Sequence, residues 1–258
     1  MDLPKVLCLS DIDGTIIPDD PNEAARAHLA TVSQFRHALK RMEKMQGAFG
    51  FCSDSSIEAI QSLAQTLGLP DCPILAENGD VVYYQKQLCL LGRISQYHQL
   101  RNEVLSFVAG LKQFKRQSVS PTVYYTRELN VTRNEWAEDP GRIASIAIYG
   151  PPSLITMLGN RYGAISGTVA DISPDYYFFA LHDKSSEKAR TLKYLKDLGH
   201  SITMIGNSNA DFVSPGAGLQ MYFVGGDDLV ADKKYQDQAT YISPLPRVEG
   251  IIDILEQI

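Results

Sequence analysis

Short apolar runs bounded by polar turns alternate along this chain with stretches in which apolar residues recur every three or four positions. "KVLCLS" near the N-terminus has the continuous apolar character of a strand buried on both faces. From about Ala24 to Lys44, Leu29, Val32, Phe35, Leu39 and Met42 fall at helical spacing. "AFGFCS" predicts a second buried strand. The helix after it carries Ile57, Ile60, Leu63 and Leu67 on one face. Its start, "SSIE", fits a capping box of Ser55 and Glu58, and Gly68 with Pro70 ends it. "PILAENGDVVYY" predicts strand, turn at Asn78-Gly79, and strand.

The middle of the chain is richer in aromatics and strand-like runs, "TVYYT", "IASIAIYG", "AISGTVADI" and "YYFFAL". Two helical stretches interrupt them, near His98 to Phe114 and near Pro152 to Asn160. Strict alternation then returns. A helix from about Ser186 to Leu198 leads to "ITMIG", "QMYFVG" and the closing amphipathic "RVEGIIDILEQI". The fold class is therefore α/β. Residues 1–82 and 183–258 form a Rossmann-like core with a parallel sheet, and 83–182 are an inserted α+β domain.

Composition narrows the function classes. A chain of 258 residues with 44% apolar and 21% charged residues is ordinary for a globular protein. A net charge of -6 argues against nucleic acid and against an anionic membrane as partner. No signal-like segment and no span-length apolar run is visible. The four cysteines are scattered, with no CxxC pair, which predicts a reduced, cytoplasmic protein without structural zinc. A monomer or small homo-oligomer is expected.

In an open parallel sheet, ligands bind beyond the carboxyl ends of the strands. The first strand is followed by Asp11 and Asp13, the second by Ser53 and Asp54, and "ITMIG" by Asn207, Ser208, Asn209 and Asp211. If the strands are neighbours, these oxygens converge. Two carboxylates ~4 Å apart repel by about 4 kcal/mol at an effective dielectric of 20. A hard divalent cation removes that cost, and few carboxylates with several waters suit Mg²⁺. Metal plus exposed carboxylate is a set of tools for phosphoryl transfer. Lys188, in the first turn of its helix, stands where the macrodipole disfavours a cation, and binding phosphate would explain it.

Together these segments resemble the haloacid dehalogenase (HAD)-like phosphatase superfamily. "DIDGT" matches its motif D-x-D-G-T in full, and "FCSDSS", "SSEKARTLKYL" and "IGNSNADF" are similar to the other three motifs. "ILAENGDVV" resembles the N-G-A segment of subfamily IIB, the C2B-capped, Cof-like and sucrose-phosphatase-like group, whose cap lies between motifs two and three. The resemblance implies a nucleophile, Asp11, that becomes an aspartyl phosphate, and a general acid and base, Asp13. It implies that Ser53 and Lys188 grip the phosphoryl group, and that Asp11, Asp13, Asp211 and Asn207 surround Mg²⁺. Lys184, just upstream, is the alternative lysine, and spacing between strand and helix favours Lys188.

The chain departs from the pattern in Asn207, where the family has aspartate, and in Ala210, Ala189 and Asp54. Asn207 costs the site one negative charge, so Asn207→Asp is expected to tighten Mg²⁺ activation. The expected function is hydrolysis of a small phosphorylated metabolite, a sugar phosphate above all. The alternatives are a catalytically weak relative that binds phosphosugars and a phosphomutase-type transferase. In the inserted domain Arg93, Arg101, Arg127, Arg133, Asn134 and Trp136 suit a polyhydroxylated or anionic group, without singling out a ligand.

Overall fold

The computed structural model describes residues 6–17, 35–40, 42, 47–91, 97–111, 122–125, 145–173, 178–183 and 187–258. The chain divides into two compact units, Met1–Cys89 with Glu187–Ile258, and Leu90–Ser186. Among the described residues, no helix is long and apolar enough to cross a membrane.

The first unit is built on an eight-stranded sheet. Its strands are β1 (Val6–Ser10), β2 (Gly47–Cys52), β3 (Ile74–Ala76), β4 (Val81–Tyr84), β5 (Gln87–Leu90), β10 (Ser201–Gly206), β11 (Leu219–Phe223) and β12 (Tyr241–Ile242), in the order β12-β11-β10-β1-β2-β3-β4-β5. Pairing is parallel from β12 through β3 and turns antiparallel at β3–β4. β1 lies at the middle of the parallel stretch, between β10 and β2. Strand order thus reverses beside it, and a sheet of this topology opens a crevice at that point.

Side chains alternate across a strand, so residues two apart share a face. Leu7 and Leu9 of β1 pack with Cys52, Leu75, Ile202, Met204, Met221 and Phe223 on one face. Helix α4 (Lys188–Asp197) covers that face with Leu192 and Leu195. The opposite face is aromatic. Phe49 and Phe51 of β2 meet edge to face at 5.7 Å, and Phe35, in the helical residues 35–40, meets Phe49 at 5.1 Å. The rest of the helix expected from Ala24, including Leu29 and Val32, lies outside the described residues.

Helix α1 (Ile57–Leu67) buries Ile57, Ile60, Ala64 and Leu67 and ends at Gly68, whose φ of 81° is the left-handed cap expected of glycine. Its start corrects the sequence reading. The cap is Ser56, which accepts from the Ala59 amide, in place of Ser55 in a box with Glu58. Ser55 instead donates its own backbone amide to the Ser53 hydroxyl.

The second unit carries a four-stranded sheet in the order β6-β7-β9-β8, antiparallel throughout, from β6 (Thr122–Tyr125), β7 (Ser145–Tyr149), β8 (Thr168–Ser173) and β9 (Phe178–Asp183). Ile146, Ile148, Phe179 and Leu181 form its apolar face. Helices α2 (Tyr97–Gly110) and α3 (Pro152–Tyr162) cover it with Val104, Leu154, Ile155 and Leu158.

Candidate active site

The period of two that puts Leu7 and Leu9 on the face under α4 also puts Asp11 there, just past the end of β1. On α4, Lys188, Leu192 and Leu195 fall at i, i+4 and i+7, one stripe of the helix. The two leucines seat the helix on the sheet, and Lys188, one turn earlier, arrives over Asp11. Its Nζ donates to Asp11 Oδ1 at 2.9 Å and to Asp211 Oδ1 at 2.6 Å. All three side chains are buried: the residues are 7%, 7% and 1% exposed for Asp11, Lys188 and Asp211.

Asp211 reaches this point by folding back over the end of β10. Its Oδ2 accepts from the backbone amides of Asn207 and Ser208, both at 3.1 Å, and from Ser208 Oγ at 2.9 Å. The strand makes room with Gly206, where a Cβ would stand 2.2 Å from the Asp211 Cβ. Any side chain at 206 would expel the carboxylate.

The electrostatics are unbalanced. Burial, then the charge of Asp211, push the Asp11 carboxyl well above the usual carboxylate range, against the pull of Lys188. Burial works against the Lys188 ammonium, yet Asp11 and Asp211 more than offset it and hold the group well above the ordinary lysine value. Two carboxylates therefore face one cation, and one negative charge is left over. A proton on Asp11 removes it, as does a metal ion beside it. Among the described residues, no group of three or more His, Cys, Asp or Glu is gathered as a ready-made metal cage. The all-oxygen donor set with surplus negative charge fits a hard cation that keeps waters and shares substrate oxygens.

The other residues singled out in the sequence line the same strand ends. Ser53 follows β2, is fully buried, accepts from the Ser55 amide at 3.2 Å and donates to Asp54 Oδ1 at 3.3 Å. The exposed Asp54, a departure from the family motif, engages the Ser53 hydroxyl, and its charge also raises the Asp11 pKa. Asp13 is exposed, in the tight turn that Gly14 opens with φ 69° and in which the Gly14 amide donates to the Ile17 carbonyl. Asn207 is buried. Its Oδ1 accepts from Thr15 Oγ1 at 3.2 Å and its Nδ2 donates to the Asp228 carbonyl at 3.0 Å.

Thr15 and Asp228 were not singled out as site residues. Thr15 was visible as the last letter of D-x-D-G-T, whereas nothing local to Asp228 marks it. Lys184, Arg93, Arg127, Arg133, Asn134 and Trp136 lie outside the described residues, and Arg101 is described only as part of α2.

The family model of the haloacid dehalogenase-like hydrolases matches residues 8–212, from β1 through the Asp211 loop. The chain belongs to this family. Solved structures agree on the fold of these HAD-like hydrolases. A haloacid dehalogenase-like hydrolase from Bacteroides thetaiotaomicron matches with a TM-score of 0.72 at 17% identity, over 97% of this chain and 98% of that one. A haloacid dehalogenase-like hydrolase from B. subtilis matches at 0.66 and 15%, over 98% and 99%. A HAD subclass IIB sugar phosphatase matches at 0.61 and 15%, over 98% of both chains. At such identities the likeness is one of fold. No match is found among curated protein sequences.

Proposed function

We propose that this HAD-like hydrolase is a Mg²⁺-dependent phosphatase that acts on a small phosphorylated metabolite, a sugar phosphate above all. One observation carries the reading: Asp11, Lys188 and Asp211, drawn from three separate segments, meet in one buried cluster at the carboxyl ends of β1 and β10. Support for the substrate class comes from the fold shared with a subclass IIB sugar phosphatase. Members of the family generally use Mg²⁺.

In this reading an oxygen of Asp11 forms a bond to phosphorus as the ester P–O bond breaks. Asp13, exposed two residues on, gives its proton to the departing alkoxide oxygen. Asp13 then takes a proton from water. The hydroxide bonds to phosphorus, the Asp11–phosphorus ester breaks, and inorganic phosphate leaves. Lys188 holds Asp11 in place by its 2.9 Å bond and, with Ser53, faces the phosphoryl oxygens. Asp11, Asp211, the Asp13 carbonyl and Asn207 would hold Mg²⁺, which when bound would supply charge neutralisation at the phosphoryl group.

The test is a panel of phosphorylated sugars and an aryl phosphate, assayed with Mg²⁺, with chelator, and with Asp11→Asn. The expected result is Mg²⁺-dependent release of phosphate that Asp11→Asn lowers by at least about a thousandfold. Absence of turnover on every ester overturns the reading. A second reading, a phosphosugar-binding relative of low activity, draws on the hydrogen bonds that Thr15 and Asp228 make to the two ends of the Asn207 amide. Tight binding without release of phosphate would favour it.

A further inference from the structure

The turn after β3 contains three successive residues in the left-handed region, Glu77 and Asn78 at φ 56° and Gly79 at φ 88°. L-residues with side chains avoid this region, and such backbone persists only where the surroundings enforce it. Here two sets of contacts do so. On one side, the Asn78 amide donates to the Ser53 carbonyl at 3.2 Å and the Glu77 amide to the Ser55 carbonyl at 3.1 Å. On the other, the Gly79 carbonyl accepts a buried 2.7 Å hydrogen bond from Thr191 Oγ1. A Cβ at Gly79 would lie 2.4 Å from that oxygen and 3.2 Å from the Glu187 carbonyl. The next residue, Asp80, is fully buried and faces Arg190, with 3.6 Å between Oδ1 and a guanidinium nitrogen. Glu187, Arg190 and Thr191 all belong to the first turn of the helix that begins at Lys188 or adjoin it. The turn is wedged between the Ser53 loop and that helix start.

We infer that Thr191 is a positioning residue for the phosphate site, acting through the Gly79 turn to set where Lys188 stands relative to Ser53. Its buried hydroxyl is committed to the Gly79 carbonyl. It ties α4 to the turn, and the turn's amides tie the loop that carries Ser53. The phosphoryl oxygens are gripped from both sides only if the two ends keep their separation, and a displacement on the order of 1 Å costs about a hundredfold in such sites. The inference rests on the phosphatase reading above, since it assigns Ser53 and Lys188 to the phosphate.

Thr191→Val removes the hydroxyl and keeps the shape, Thr191→Ser keeps the hydroxyl, and Arg190→Gln loosens the same wedge from its half-exposed edge. The measurements are KM and kcat for an aryl phosphate, the inhibition constant of inorganic phosphate, and the melting temperature. The expected result is that Thr191→Val raises KM and the phosphate inhibition constant together by about tenfold with a smaller change in kcat. Thr191→Ser should stay within about twofold of the parent, and Arg190→Gln should shift both constants the same way by a lesser factor. If Thr191→Val does not fold, Arg190→Gln decides. A lowered melting temperature with both constants unchanged reduces the wedge to a structural role and overturns the inference, while parental turnover leaves the phosphatase reading standing. A parent protein that neither binds phosphate nor hydrolyses any ester overturns that reading, and the inference with it.

Discussion

Thr15 and Asn207, 192 residues apart in the chain, are joined by a buried hydrogen bond of 3.2 Å, and the other end of the Asn207 amide donates to the Asp228 carbonyl. A carboxylate cannot do both, because the carbonyl of Asp228 requires a donor. Asn207→Asp therefore acts in two ways. It adds the negative charge expected to tighten Mg²⁺ activation, and it sets a carboxylate oxygen against a carbonyl. The expected outcome is activation at lower Mg²⁺ together with a loss of about 1–3 kcal/mol in stability from the unpaired contact. Mg²⁺ titration of activity and urea unfolding measure the two effects. An unchanged Mg²⁺ dependence removes Asn207 from the metal's surroundings.

Lys188 is the sole positive partner that the structure gives the Asp11 and Asp211 carboxylates among the described side chains of the cluster. Lys188→Met should leave two buried carboxylates without that countercharge and cost about 3–5 kcal/mol at neutral pH without metal. Adding Asp211→Asn should restore part of the loss. Denaturant unfolding of both single variants and the double variant measures the coupling. Strictly additive losses would mean the ammonium is not balancing Asp211.

Packing beneath the site is equally testable. Leu192 is fully buried between α4 and the sheet face that carries Leu7 and Leu9. Leu192→Ala should lower stability by about 2–5 kcal/mol, read from the urea midpoint at constant slope. Because the leucine seats the helix that carries Lys188, activity should fall beyond what the folded fraction explains.

Alkaline pH should unfold the protein earlier than its net charge alone suggests. Burial pushes the Cys52 and Cys72 thiols up to about 12, and burial raises Cys8 as well. The unfolded chain loses these protons above about pH 9 while the folded chain keeps them. The native state then binds more protons than the unfolded state, so stability falls as pH rises, by about 1.4 kcal/mol per pH unit for each thiol. Lys188, also raised, contributes with the same sign at still higher pH. Urea midpoints between pH 8 and 10.5 under reducing conditions check the slope. Alkylation at neutral pH should mark the exposed Cys89 and spare Cys8, Cys52 and Cys72.

Local pattern by itself determined the alternating strands and helices, the α/β class and the family. It also determined that Asp11, Ser53 and Asp211 follow strand ends and that Lys188 falls in the first turn of a helix. Each of these follows from a period of two or of 3.6, or from a contiguous motif, and such signals survive without knowledge of neighbours. Tertiary structure decided the rest. Ser56 caps α1 while Ser55 serves Ser53, and the short strands β5 and β12 exist because a sheet edge is there to receive them. Asp211 folds onto Lys188 because Gly206 vacates the space, Asn207 turns to Thr15 and Asp228, and the left-handed turn at Gly79 meets Thr191. Those choices depend on which backbone groups and side chains arrive from more than a hundred residues away or from the next loop. Burial then fixes them, since a polar group shut off from water must find its partner wherever the fold brings one.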